Sequence, residues 1–82
     1  MKAVLRNRQD GAVAVVIDCT GQMCPLPVIA LGRHIEEIGV GELVELQADD
    51  PAAAVDVPAW CRMRKQELVS AEDGTYVIRR LV

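Results

Sequence analysis

Val13-Ala14-Val15-Val16-Ile17-Asp18-Cys19-Thr20-Gly21-Gln22-Met23-Cys24-Pro25-Leu26-Pro27 decides the reading of this chain. Val13 to Ile17 is a short β-branched apolar run, as a strand covered on at least one face requires. It ends at Asp18. Cys19 to Met23 reads as a loop, in which Gly21 is free to adopt a left-handed conformation. Proline is tolerated in the first turn of a helix, where the N–H groups have no intrahelical acceptor. Pro25 and Pro27 therefore mark a helix start, with Cys24 at the N-cap. The positive end of a helix favours thiolate, the reactive form of cysteine. Pro27 removes one of the two donors that usually meet an N-cap side chain, leaving Leu26, so the expectation is a poised thiol and not a fully ionised one.

Beyond Pro25, Val28, Leu31, Ile35 and Ile38 recur at helical spacing, with Arg33, Glu36 and Glu37 on the other side and Gly39 as the expected stop. Leu43 to Ala48 alternates, Val44, Leu46 and Ala48 facing one way and Glu45 and Gln47 the other, which is a strand. A strand, helix, strand unit makes the two strands parallel, joined by a right-handed crossover. Asp49-Asp50-Pro51 is a helix-start signal, its aspartates read as caps, but Pro58 would break a helix running through it. The expectation is a short turn followed by a helix capped by Asp56, with Val57, Trp60, Cys61 and the stem of Arg64 on its inner side. Glu67 to Ala71 and Thr75 to Leu81 read as strands around Glu72-Asp73-Gly74, a hairpin signal.

The order is βαβαββ. It is an α/β chain of the α+β two-layer type, with two helices on one face of a four-stranded mixed sheet. Residues 12–82 form one domain; residues 1–11 are an N-terminal extension, either an edge strand that turns at Gln9-Asp10-Gly11 or a tail.

Hydrophobic residues are 51% of the 82, yet there is no Phe, one Trp and one Tyr, so the core is aliphatic. Three cysteines at irregular spacing argue against a disulfide framework and fit a reducing compartment. A net charge of −3 and a pI near 5.0 lack the basic footprint of a nucleic-acid binder, so no direct nucleic-acid contact is expected. Lys2, Arg6 and Arg8 before Ala12 to Ile17 imitate a signal peptide, but the apolar run is too short and is bracketed by Asp10 and Asp18. The expectation is a cytoplasmic monomer with no membrane segment.

Asp18, Gly21, Cys24-Pro25-Leu26-Pro27, Ala48-Asp49-Asp50-Pro51-Ala52, Asp56-Val57-Pro58 and Glu67-Leu68, in this order, resemble the TusA/SirA-like family of small sulfur carriers. The resemblance implies a fold like the C-terminal domain of bacterial translation initiation factor three. It also implies that Cys24 accepts sulfane sulfur as a persulfide from a cysteine desulfurase or rhodanese-like donor and relays it to a protein acceptor, in tRNA thiolation, sulfur oxidation or cofactor biosynthesis. Two positions depart from the pattern: Gln66 stands where many relatives have His, and Cys19 where many have another residue.

Cys24 is thus the candidate reacting residue, supported by Pro25, Pro27, Gly21 and Asp18. Little turnover is expected of the chain alone, and no cofactor or metal: C-x4-C without a second pair is not a metal signature. His34, ten residues along the helix from Cys24, is about 15 Å away at the helical rise and cannot serve it as a base. Cys61 beside Trp60 reads as core. Cys19 has two readings, a loop thiol or a partner that resolves a persulfide on Cys24, and a reversible Cys19/Cys24 disulfide would make the chain a redox-sensing interaction module instead. Arg62, Arg64 and Lys65 complement the negative end of the second helix and are candidates for docking an acidic partner.

Overall fold

The computed structural model describes residues 2–5 (backbone only), 13–23 and 26–82. In chain order these form β1 (Lys2–Leu5), β2 (Val15–Asp18), α1 (Leu26–His34), β3 (Leu43–Gln47), α2 (Ala53–Arg64), β4 (Glu67–Glu72) and β5 (Thr75–Arg79). The sheet order is β1-β2-β3-β5-β4. β2 and β3 are parallel, in the register Val15 to Val44 and Asp18 to Gln47, and the other neighbours are antiparallel. Four of these strands and the two helices are the βαβαββ layers read from the sequence. The fifth, β1, pairs along the outer edge of β2, the edge strand that is one of the two readings of residues 1–11. The turn at Gln9-Asp10-Gly11 lies outside the described residues.

The core is aliphatic, as the composition requires. Val15, Ile17, Val44, Leu46, Tyr76 and Ile78 of the sheet share one core with Ala30, Leu31 and Ile35 from α1 and the turn after it and with Ala53, Val57, Trp60 and Cys61 from α2. Along β3, Val44 and Leu46 are buried while Leu43, Glu45 and Gln47 are half-buried, the period-two alternation of a strand with one covered face. The β4–β5 turn has positive φ at both Asp73 (50°) and Gly74 (78°), the conformation for which Asp-Gly is selected.

Two helix boundaries differ from expectation. α2 is continuous from Ala53 to Arg64 with Pro58 inside it, and Asp56 lies in its first turn instead of capping it. The start is set at Asp50, whose Oδ1 accepts the Ala52 N–H at 3.1 Å and whose carbonyl accepts the Ala53 N–H at 2.9 Å. Pro58 deprives the carbonyl of Ala54, an exposed residue, of its helical donor, a group that water can satisfy. Ala53 and Val57 before the proline, and Trp60 and Cys61 after it, are buried in one core at helical spacing, which holds both halves on one axis.

α1, for its part, passes into a 3₁₀ turn at Ile35–Glu37, and Ile38 is already extended (φ −109°, ψ 159°). Gly39 is not the left-handed stop: its N–H is taken by Glu42 Oε1 at 2.6 Å, and the left-handed glycine is Gly41 at φ +92°.

Candidate functional site

The site is built where the parallel strands β2 and β3 end side by side. The ladder extends one residue past β2, the Cys19 N–H donating to the Gln47 carbonyl at 2.7 Å. The chain then turns: the Gln22 N–H donates to the Cys19 carbonyl at 2.9 Å, with Gly21 third in the turn at φ +82°. A type II turn demands that conformation at that position, which is why glycine stands there. The other two amides of the turn meet carboxylates. The Thr20 N–H donates to Asp18 Oδ1 and the Gly21 N–H to Asp49 Oδ1, each at 3.0 Å. The Leu26 N–H then donates to the Met23 carbonyl at 2.9 Å and α1 begins, with Pro27 fully buried in its first turn. Cys24 and Pro25 lie outside the described residues.

Asp18 and Gly21 therefore hold the loop that leads to Cys24 in sequence. The Asp49 contact was not foreseen, since both aspartates of the Asp49-Asp50 pair read as caps; only Asp50 is one. Its signal lay in the parallel pairing itself, which brings the residues after β2 beside those after β3.

The other two thiols are core groups. Cys19 is fully buried, and desolvation pushes its pKa up. Cys61 is 3% exposed, and burial raises it to about 11. Burial thus keeps both in the unreactive thiol form near neutrality. Such burial, with the thiol held protonated, weighs against a resolving role for Cys19. His34 is engaged elsewhere, Nδ1 lying 2.6 Å from Glu37 Oε1.

Arg62, Arg64 and Lys65 are all exposed at the end of α2. Arg64 lies over the Trp60 ring, 5.9 Å from its centroid, so it is anchored as well as charged. Gly32 of α1 makes room for this pair: a Cβ there would stand 3.7 Å from the Arg64 guanidinium and 3.8 Å from Trp60 Nε1. Arg33 and Arg64 line an open groove of about 580 Å³ with Val28, Ile29, Gly32, Glu36 and Glu37. Met23, Leu26 and Ile29 are respectively 74%, 44% and 51% exposed, leaving apolar side chains on both sequence flanks of the Cys24-Pro25 step. Among the described residues no three His, Cys, Asp or Glu side chains converge as metal ligands would, and no helix is long and apolar enough to cross a membrane.

A family model described as sulfurtransferase TusA matches residues 15–80. The chain belongs to this family. Similar proteins include a putative sulfur carrier protein of Archaeoglobus fulgidus, 46% identical over 56 residues, which span 68% of this chain and 73% of the relative. The sulfur carrier protein TusA of Pseudomonas fluorescens is 38% identical over 75 residues, 89% of this chain and 90% of that one. A crystal structure of a SirA-like protein from Desulfitobacterium hafniense superposes with a TM-score of 0.59 at 24% identity, covering 77% of this chain and 89% of that one, and so shares its fold. The matched range includes the positions of Cys24-Pro25-Leu26-Pro27, the Cys19 to Gln22 turn and Asp49-Asp50-Pro51.

Proposed function

We propose that the chain is a sulfur carrier that holds sulfane sulfur as a persulfide on Cys24 and passes it from a donor protein to an acceptor protein. One observation carries the reading most: of three cysteines in a TusA family member, Cys19 and Cys61 are buried with raised pKa values, so the family's chemistry falls to the cysteine of the Cys-Pro-x-Pro motif. In the loading step the Cys24 thiolate attacks the terminal sulfur of a donor persulfide. The new sulfur–sulfur bond forms on Cys24 as the donor's own bond breaks, and the donor leaves as a thiolate with no net oxidation. Delivery repeats the exchange with the carrier as donor.

A cysteine desulfurase or rhodanese-like protein is the proposed donor, in the cytoplasm, where thiols stay reduced. The surface features suit protein partners: Met23, Leu26 and Ile29 offer exposed apolar contacts next to the motif, and Arg33, Arg62, Arg64 and Lys65 offer positive charge to an acidic face. Intact-mass spectrometry after incubation with a cysteine desulfurase and cysteine tests the reading. One added sulfur atom, removable by a reducing agent, is expected on the wild type and none on Cys24→Ser; no addition to the wild type from either class of donor contradicts it.

A further inference from the structure

Three backbone amides of the turn from Cys19 to Gln22 are satisfied in three different ways. Thr20 is held by Asp18 from its own strand, Gln22 by the carbonyl of Cys19 within the turn, and Gly21 by Asp49. Only the last bond ties the turn to another element through a side chain, across 28 positions of sequence. Asp49 is exposed and follows β3, while its neighbour Asp50 is committed to the start of α2. The two adjacent aspartates thus divide two tasks, one fixing a helix start and the other fixing the turn. A carboxylate accepting a backbone N–H is stronger than a neutral acceptor, and here it acts at the carboxyl end of a parallel strand pair, where α/β proteins gather their chemistry.

We propose that Asp49 is a positioning residue for sulfur transfer: by accepting the Gly21 N–H it fixes the turn and hence the direction in which the chain leaves for Cys24. The proposal rests on Cys24 being the sulfur-bearing thiol. Asp49 touches no sulfur; it acts through Gly21, and what it supplies is an acceptor oxygen at a set place.

Asp49→Asn keeps that oxygen, Asp49→Ala removes it, and Asp49→Glu keeps the charge but displaces the oxygen by a methylene. Two quantities are read on each protein: hydrogen exchange of the Gly21 amide, and the rate at which a cysteine desulfurase with cysteine loads Cys24. Losing a hydrogen bond to a charged acceptor should speed Gly21 exchange and slow loading by about tenfold or more in Asp49→Ala. Asp49→Glu should be slowed as well, and Asp49→Asn, whose neutral oxygen is a weaker acceptor at the same place, should recover most of the loss seen in Asp49→Ala in both readings. Loading of Asp49→Ala at the wild-type rate, or failure of Asp49→Asn to rescue it, overturns the positioning role while leaving the carrier reading in place. A wild-type protein that loads sulfur elsewhere than Cys24 overturns both.

Discussion

Gln66 Oε1 accepts the backbone N–H of Leu81 at 2.7 Å and that of Val82 at 3.5 Å, tying the residue that follows α2 to the chain that follows β5. An amide oxygen offers this acceptor at every pH, which a titrating side chain would not. Gln66→Ala should cost about 1 kcal/mol in urea unfolding, the usual net value of a hydrogen bond, and should speed exchange of the Leu81 amide. Unchanged exchange at Leu81 would show that the contact is not formed in solution.

Pro58 sits inside a continuous α2 and removes one helical hydrogen bond. Pro58→Ala restores the donor and should stabilise the protein by about 1–3 kcal/mol, the range set by the cost of an interior proline less the entropy it removes from the unfolded chain. A midpoint that falls in denaturant would mean that the proline ring's own packing outweighs the missing bond.

Lys65 is the left-handed residue that ends α2, at φ 61° and ψ 40°, where the Gln66 N–H reaches back to the Cys61 carbonyl at 2.9 Å. Glycine adopts this conformation without the Cβ penalty, so Lys65→Gly should raise stability by about 0.5–1 kcal/mol. Thermal denaturation of the two proteins side by side checks the sign.

Cys61 has its pKa raised by burial to about 11 from an ordinary value of 9.0. The folded state then holds this proton more tightly than the unfolded one. Its contribution is complete below pH 9 and is lost as pH rises from 9 to about 11, worth about 2 kcal/mol at the upper end. Cys61→Ala should therefore lose less stability than wild type across that interval, although it starts lower because a buried side chain has been cut back. Equal slopes for the two proteins would contradict the assignment.

Most of the fold was legible because its signals are local. The alternation of Val44, Leu46 and Ala48, the helical spacing of Leu31 and Ile35, and Asp73-Gly74 each specify an element within a few residues. The α2 boundary was not, because a proline's local veto was overridden by burial of Ala53, Val57, Trp60 and Cys61 in a shared core, which only the assembled structure reveals. The stop at Gly39 failed because the helical turns end sooner, at an extended Ile38, and the Gly39 N–H goes to Glu42 instead of back to the helix. The support of the site was half legible. Asp18 acts on its own loop two residues away, whereas Asp49 acts across the sheet and needs the β2–β3 pairing to be known first.

The central claim, that sulfur is carried on Cys24, is tested most directly by peptide-level mass spectrometry of the chain after loading by a desulfurase, with all three cysteines mapped separately. The account predicts one extra sulfur on the Cys24 peptide and none on those of Cys19 and Cys61, whose thiols are buried. Sulfur on Cys19 or Cys61 at a comparable level, or a Cys19 to Cys24 disulfide with no added sulfur, would contradict it.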